Sequence, residues 1–294
     1  MLLTSEQKEQ GSEAWKQLRL QCVTATDIAC IVGASTYLTP YELWEQKIGL
    51  KEPQKENEGM RIGKKHEEKI RQWANEKFEC DFQPDVVIHP EMPFVLASLD
   101  GIDYAKEIVL EAKVVNEELF EKIVAGHVPY GFYVQIQVQL ECTGFKKAYL
   151  VAYNPKLDDF SFLVITWDEK KCREFLSAAS AFKFCIDNLI SPSLGDEDYV
   201  TIEENDEMAQ MIEQYKEARH LLTVFEDIEN KLKKEIVERS GKRNTKGYGL
   251  RITKIKKKGN VDYETLFVDH EIDKSTLEKY RKPDTEYFKI SEEK

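Results

Sequence analysis

No stretch of this sequence stays apolar for the ~18–20 residues needed to cross a bilayer, so a helical membrane span is excluded. The opening residues, Met1-Leu2-Leu3-Thr4-Ser5-Glu6, lack a basic segment followed by an apolar one. A secretory leader is therefore not expected, and a cytoplasmic location is. None of the six cysteines, at 22, 30, 80, 142, 172 and 185, forms a Cys-x-x-Cys pair, which disfavours zinc ribbons and thioredoxin-type sites. Nor do they cluster as a four-cysteine iron–sulfur site requires; reduced core thiols are expected instead. Positive charge is also in short supply, with 54 acidic against 42 basic side chains and a net charge of −12. Phosphate binding rests on Lys and Arg. An acidic total nevertheless coexists with a basic groove where carboxylates hold a divalent cation, so net charge leaves nucleic acid open as a ligand.

What remains is chain enough, at 294 residues, for one large domain or two modest ones around a substantial core. Residues 12–33 carry apolar positions at Trp15, Leu18, Val23, Ile28, Ile31 and Val32, broken near 21–26. That pattern predicts two short helices, the second capped by Thr24 or Thr26. Pro40 suits the first turn of a further helix through Leu43, Trp44 and Ile48, closed by Gly49. A solvated loop over 51–59 precedes a helix from Gly63 to Phe78. Runs at Val86–Ile88, Phe94–Ser98, Glu107–Val115, Ala148–Tyr153 and Phe160–Trp167 read as strands, with a helix over 116–126 between them. Interleaved helices and strands imply α/β architecture, a mixed central sheet flanked by helices.

The composition changes after Ser191-Pro192-Ser193-Leu194-Gly195, dividing the chain into 1–194 and 195–294. Residues 196–230 hold twelve acidic and two basic side chains. Met208, Met211 or Ile212, Tyr215, Leu222, Phe225, Ile228 and Leu232 recur at spacings of three and four. A long amphipathic helix over 205–239, of a kind suited to coiled coils, is predicted. Residues 242–258 then hold eight basic residues and no acidic one, interleaved with Tyr248, Leu250, Ile252 and Ile255. This fits a DNA-contacting hairpin using Lys254, Lys256, Lys257 and Lys258, or an ordinary solvated strand edge guarded by lysines.

Chemistry concentrates at Ala97-Ser98-Leu99-Asp100-Gly101 and, ten residues on, Glu111-Ala112-Lys113. On a strand Glu111 and Lys113 share a face. Asp100-Gly101 reads as a turn dipeptide ending the preceding strand, and a hairpin of this length can bring Asp100 beside Glu111. Two carboxylates meeting one ammonium suit a hard divalent cation and a positioned water, with Glu67 as a third carboxylate. By themselves these residues are more ordinarily a solvated strand face and a turn. His66, beside Glu67, is more ordinarily a packed or solvated histidine than a ligand.

Four segments in order carry more than any one of them. Trp15-Lys16-Gln17-Leu18-Arg19-Leu20 with Val23-Thr24-Ala25-Thr26-Asp27, then Gly63-Lys64-Lys65-His66-Glu67, then the Asp100 and Glu111-x-Lys113 motifs, then Tyr133-Val134-Gln135-Ile136-Gln137 followed by Tyr153-Asn154-Pro155. Over about 12–170 the sequence resembles the lambda-exonuclease-like nucleases, the YqaJ-type viral recombinase family of the PD-(D/E)xK fold. Leu99 stands where the motif name has proline and Thr26 where a serine is usual. Neither change removes a catalytic group.

The resemblance implies a Mg²⁺-dependent enzyme, Mn²⁺ able to substitute, with the metal on Asp100, Glu111 and the Ala112 backbone carbonyl and Glu67 supporting the metal or its water shell. It implies that Lys113 orients the attacking water, that Gln135 positions lysine or water, and that Arg19 and Thr26 grip a DNA 5′-phosphate. Alternation of Val134, Ile136, Val138 and Leu140 with glutamines gives a strand by period alone; the resemblance places this segment on a helix. The expected function is 5′-to-3′ digestion of one strand of double-stranded DNA from its end, giving 5′-mononucleotides and a 3′ single strand for phage-type recombination. The implied partners are DNA ends, a RecT-like annealing protein and further copies of the chain in a trimeric ring, inside a bacterial host. An endonuclease on the same fold and a non-catalytic DNA-end-binding protein are the alternatives, and only the last has no use for Lys113.

Overall fold

The computed structural model describes residues 3–255 apart from 36, 54–56 and 202–204. Two compact units emerge, Met1–Thr201 and Ile202–Lys294. In the first, helices α1 (Ser5–Lys8), α2 (Glu13–Gln21), α3 (Ala25–Ile31), α4 (Pro40–Lys47) and α5 (Glu58–Phe78) precede or flank strands β1 (Val23–Thr24), β2 (Gln83–Ile88), β3 (Val95–Asp103) and β4 (Ile108–Val114). Then follow α6 (Glu117–Val124), α7 (Tyr130–Thr143), β5 (Lys147–Asn154), β6 (Asp159–Thr166) and α8 (Glu169–Asp187). The second unit holds α9 (Asp206–Arg239) and a hairpin of β7 (Thr245–Gly247) and β8 (Leu250–Ile252).

Local chemistry starts the helices. Ser12, Thr24, Thr39 and Asn116 each accept a hydrogen bond from the backbone N–H three residues on, satisfying a donor that the helix leaves unpaired. Pro40 follows Thr39 at the first helical position, where its missing N–H costs nothing. Asn57 caps α5, so this helix starts at Glu58 and not at Gly63; the charged stretch read as loop is partly its first turns.

The six-stranded sheet is mixed, as expected: β3 pairs antiparallel with β2 and β4, β4 parallel with β5, and β5 antiparallel with β6. Alternating side chains feed two cores. Val109, Ala148 and Leu150 pack with α3, α7 and α8, while Leu110, Val151 and Tyr153 pack under Ile70 and Ala74 of α5. The segment 134–140 is helical despite its alternation, because α7 is buried around most of its girth. A buried helix has no polar face to give it a helical period.

One strand changes neighbour in mid-course. Leu96 pairs with Ile88 of β2 and with Thr24 of β1, while Ile102 pairs with Gln83 of β2 and with Val109 of β4. Strands β1 and β4 therefore share one edge of β3, and neither pairs with positions 97–100 between them. β1, too short to show a period in the sequence, makes this fork.

Asp100-Gly101 lies inside β3 and is not a turn. The glycine serves close packing: a Cβ there would fall 2.8 Å from Phe82 Cβ and 3.1 Å from Leu110 Cβ. Gly101→Ala is accordingly expected to cost about 1–3 kcal/mol through overpacking. Urea unfolding followed by tryptophan fluorescence reads the loss; an unchanged midpoint contradicts it.

Candidate active site at the fork of the sheet

Where β3 and β4 part, the Asp100 carboxylate replaces the missing strand: its Oδ2 accepts the Ala112 N–H at 2.8 Å. Residue N–H and C=O groups in a strand point to the same side, so the Ala112 carbonyl is directed toward that gap too. Glu111, 1% exposed, and Lys113 form an ion pair on one face of β4. Lys113 Nζ also donates to Gln135 Oε1 at 3.2 Å, and Gln139 Nε2 donates to Glu111 Oε2 at 2.5 Å. Four residues apart on α7, the two glutamines share the helix face toward β4. Gln137, from the opposite face, accepts the Asp168 N–H and donates to the Thr166 carbonyl.

The charges are poorly matched. Burial, then the neighbouring Glu111, push the Asp100 carboxyl well above its ordinary pKa against the pull of Lys113. Burial would lower Lys113, but Glu111 and Asp100 outweigh it and hold its pKa above the usual value. Burial also raises Glu67, which Arg71 opposes. Arg71 lies 3.6 Å from Glu67 and donates to the Asp100 carbonyl, tying α5 to the fork. Glu111 Oε1 is buried against the Lys113 ammonium without a well-aligned hydrogen bond.

This donor set suits one hard divalent cation. A half-buried and a buried carboxylate that repel one another, an under-satisfied carboxylate oxygen and a carbonyl directed to the same gap are what Mg²⁺ takes when water completes its shell. Among the described residues no group of three or more His, Cys, Asp or Glu side chains is arranged to hold a metal, so the carbonyl and water would have to contribute.

Ser98, two residues before Asp100 and on its face of β3, gathers the α2 residues. Trp15 Nε1 donates to its Oγ at 3.1 Å and Arg19 at 3.4 Å, with the guanidinium 4.8 Å from the Trp15 ring. Thr26 is exposed in the first turn of α3, one residue before Asp27, whose carboxyl Arg19 also influences. A cleft of about 360 Å³ lined by Lys8, Gln10, Trp15, Lys64 and Glu67 opens beside these residues. The larger depression, about 630 Å³ around Tyr133 and 164–170, contains none of them.

The structure thus brings Asp100, Glu111, Ala112, Lys113, Gln135 and Glu67 together, with Arg19 alongside. Lys254 follows the basic hairpin, its N–H donating to Asn244; Lys256, Lys257 and Lys258 lie outside the described residues. His66 packs at a tilt against Tyr153, ring centroids 5.2 Å apart. All six cysteines are free and four of them buried. Gln139 and Ser98 were missed by sequence reasoning, although helical spacing from Gln135 and strand spacing from Asp100 point to them. Lys47 had no sequence signal. Almost fully buried, it reaches the Arg19 and Cys22 carbonyls at 2.6 and 2.7 Å and Asp27 Oδ2 at 2.6 Å, fixing the corner that carries Arg19 and Thr26.

Residues 14–146 match the YqaJ-like viral recombinase domain family, as the ordered motifs led one to expect. The uncharacterized protein YqaJ of Bacillus subtilis (strain 168) is 24% identical over 154 residues, 49% of this chain. The match spans about half of that relative, 47% of its length. The crystal structure of an alkaline exonuclease, LHK-Exo, from Laribacter hongkongensis shares the fold with a TM-score of 0.54, 24% identity and coverage of 61% of this chain and 94% of that one. LHK-Exo in complex with dAMP gives 0.53.

Burial raises Asp27, but Lys47 and Arg19 outweigh it and hold the carboxyl below its ordinary pKa. Its contribution is therefore present at neutral pH and lost as acid titrates the folded-state carboxyl. Lys47→Met strands a buried carboxylate and should cost about 3–5 kcal/mol at neutral pH. The deficit should shrink as pH falls through the carboxylate range, a trend that chemical denaturation at several pH values checks.

Proposed function

We propose that this chain is a Mg²⁺-dependent exonuclease that degrades one strand of double-stranded DNA from its 5′ end. The observation that carries the reading is the meeting of half-buried Asp100 and buried Glu111 with Lys113 at the gap in β3, beside Arg19 and Ser98. Asp100, Glu111 and the Ala112 carbonyl would hold the metal, with Glu67 acting on its water shell. When bound, Mg²⁺ polarises the scissile phosphate and lowers the pKa of the attacking water.

The protein's own groups do the remaining work. Lys113 orients the water and stabilises negative charge developing on the phosphoryl oxygens. Gln135 steers its ammonium, and Gln139 holds Glu111 in place. Arg19, braced by Trp15 and Ser98, presents a guanidinium whose fork matches a terminal phosphate, with the Thr26 hydroxyl as a further donor. Water adds to the phosphorus, the bond to the 3′ oxygen breaks, and a 5′-mononucleotide leaves. The complementary 3′ strand remains, a substrate for an annealing protein of the RecT type. The family match and the shared fold with an exonuclease support this reading, as does an end-gripping group beside the carboxylates, which an internal cutter would not need.

A linear duplex labelled at the 5′ end of one strand and the 3′ end of the other tests it directly. Early release of 5′-labelled mononucleotide with Mg²⁺ or Mn²⁺, abolished by EDTA, is expected; internal fragments mean an endonuclease, and no cleavage a binding protein. Lys113→Ala should lower turnover by roughly 10²–10³-fold. Arg19→Ala should erase the preference for 5′-phosphate over 5′-hydroxyl ends, leaving slow digestion of both. For the metal, Mg²⁺ should raise the thermal midpoint of wild type and leave Asp100→Asn nearly unmoved.

A further inference from the structure

The catalytic reading leaves the second unit unused. Every described residue of α9 is exposed, over 34 residues or about 51 Å of helix. So long an apolar stripe left in water marks an interaction surface, and a lone helix gains most of its stability from packing an apolar face. Its pattern fits heptads: Met208, Tyr215, Leu222 and Ile236 occupy one core position, and Met211, Ala218, Phe225 and Leu232 the other. Glu229 and Arg239 are the two exceptions.

The exceptions select the orientation. In a parallel pair each core residue faces its own copy, setting Glu229 against Glu229 and Arg239 against Arg239 across the seam. In an antiparallel pair the two core positions face one another. A register centred between Val224 and Thr223 then sets Leu222 against Phe225, Tyr215 against Leu232 and Met211 against Ile236. Glu229, which already pairs with Lys233 at 2.8 Å, faces the small Ala218, which leaves room for it. In that same register the flanking positions pair Arg219 with Glu226 and Leu221 with Ile228. The ends agree: Asp206 and Glu207 open α9, Lys242, Arg243 and Lys246 follow its end, and only antiparallel pairing brings these opposite signs together.

We propose that α9 is a self-association element whose occupant is the α9 of a second copy of this chain, packed antiparallel about the Leu222–Phe225 layer.

Sedimentation equilibrium of the full chain tests it, without reference to catalysis. Wild type should weigh an even multiple of 34.2 kDa. Leu222→Asp, and separately Phe225→Asp, should halve that mass by raising the dissociation constant about 100-fold or more, since each pair would bury two carboxylates. Orientation is read by oxidative crosslinking against a wild-type control for the native cysteines. A mixture of Met211→Cys and Ile236→Cys chains should link, and neither alone. A monomeric wild type, with the face covered by its own 256–294 or by another partner, overturns the proposal. So does a mass unaffected by either aspartate, or Met211→Cys linking to itself.

Discussion

A strand that exchanges one neighbour for another leaves backbone groups that its sheet cannot satisfy, and the candidate site is built from what fills that vacancy. On one edge of β3, β1 covers the start and β4 the end. Between them Asp100 takes the Ala112 N–H, and Gln10 and Gln139 donate to the Leu99 and Ser98 carbonyls. Buried peptide groups must be paired, so polar side chains are drawn to this one place in an otherwise apolar sheet. The β1 corner is in turn held by Lys47, whose ammonium caps two carbonyls and the Asp27 carboxylate.

The fork carries an electrostatic cost. Two carboxylates out of water with one ammonium between them oppose folding, and the raised pKa of Asp100 expresses that opposition. Gln135 and Gln139 orient the charged groups without neutralising them. A divalent cation drawn into the gap would remove the repulsion, so the same arrangement that weakens the fold is the one suited to the proposed metal. Rigidity comes from the elements behind it: α7 is buried in the core, and Arg71 on α5 clamps the Asp100 carbonyl.

Charge plays a different part in the second unit. There Asp206 and Glu207 open α9 and Lys242, Arg243 and Lys246 follow its end. A helix with such ends and an apolar stripe specifies its partner's direction as well as its presence.

The sequence by itself determined the elements whose signals are local: a helix capped near Thr24, Pro40 opening α4, the strands around Glu111 and Val151, and the long helix to Arg239. It also marked Asp100, Glu111 and Lys113 by spacing, since strand periodicity alone puts Glu111 and Lys113 together. Only the tertiary structure decided that Asp100-Gly101 continues a strand, because the glycine is demanded by Phe82, nineteen residues away in the chain, and not by a turn. It decided that 134–140 is helix, since burial on all sides erases helical periodicity. It made the fork, through a two-residue strand too short to carry any pattern, and brought Gln139, Ser98 and Lys47 to the site. Their roles depend on which backbone groups are left unpaired, a property of how strands meet in space that no local pattern of residues encodes.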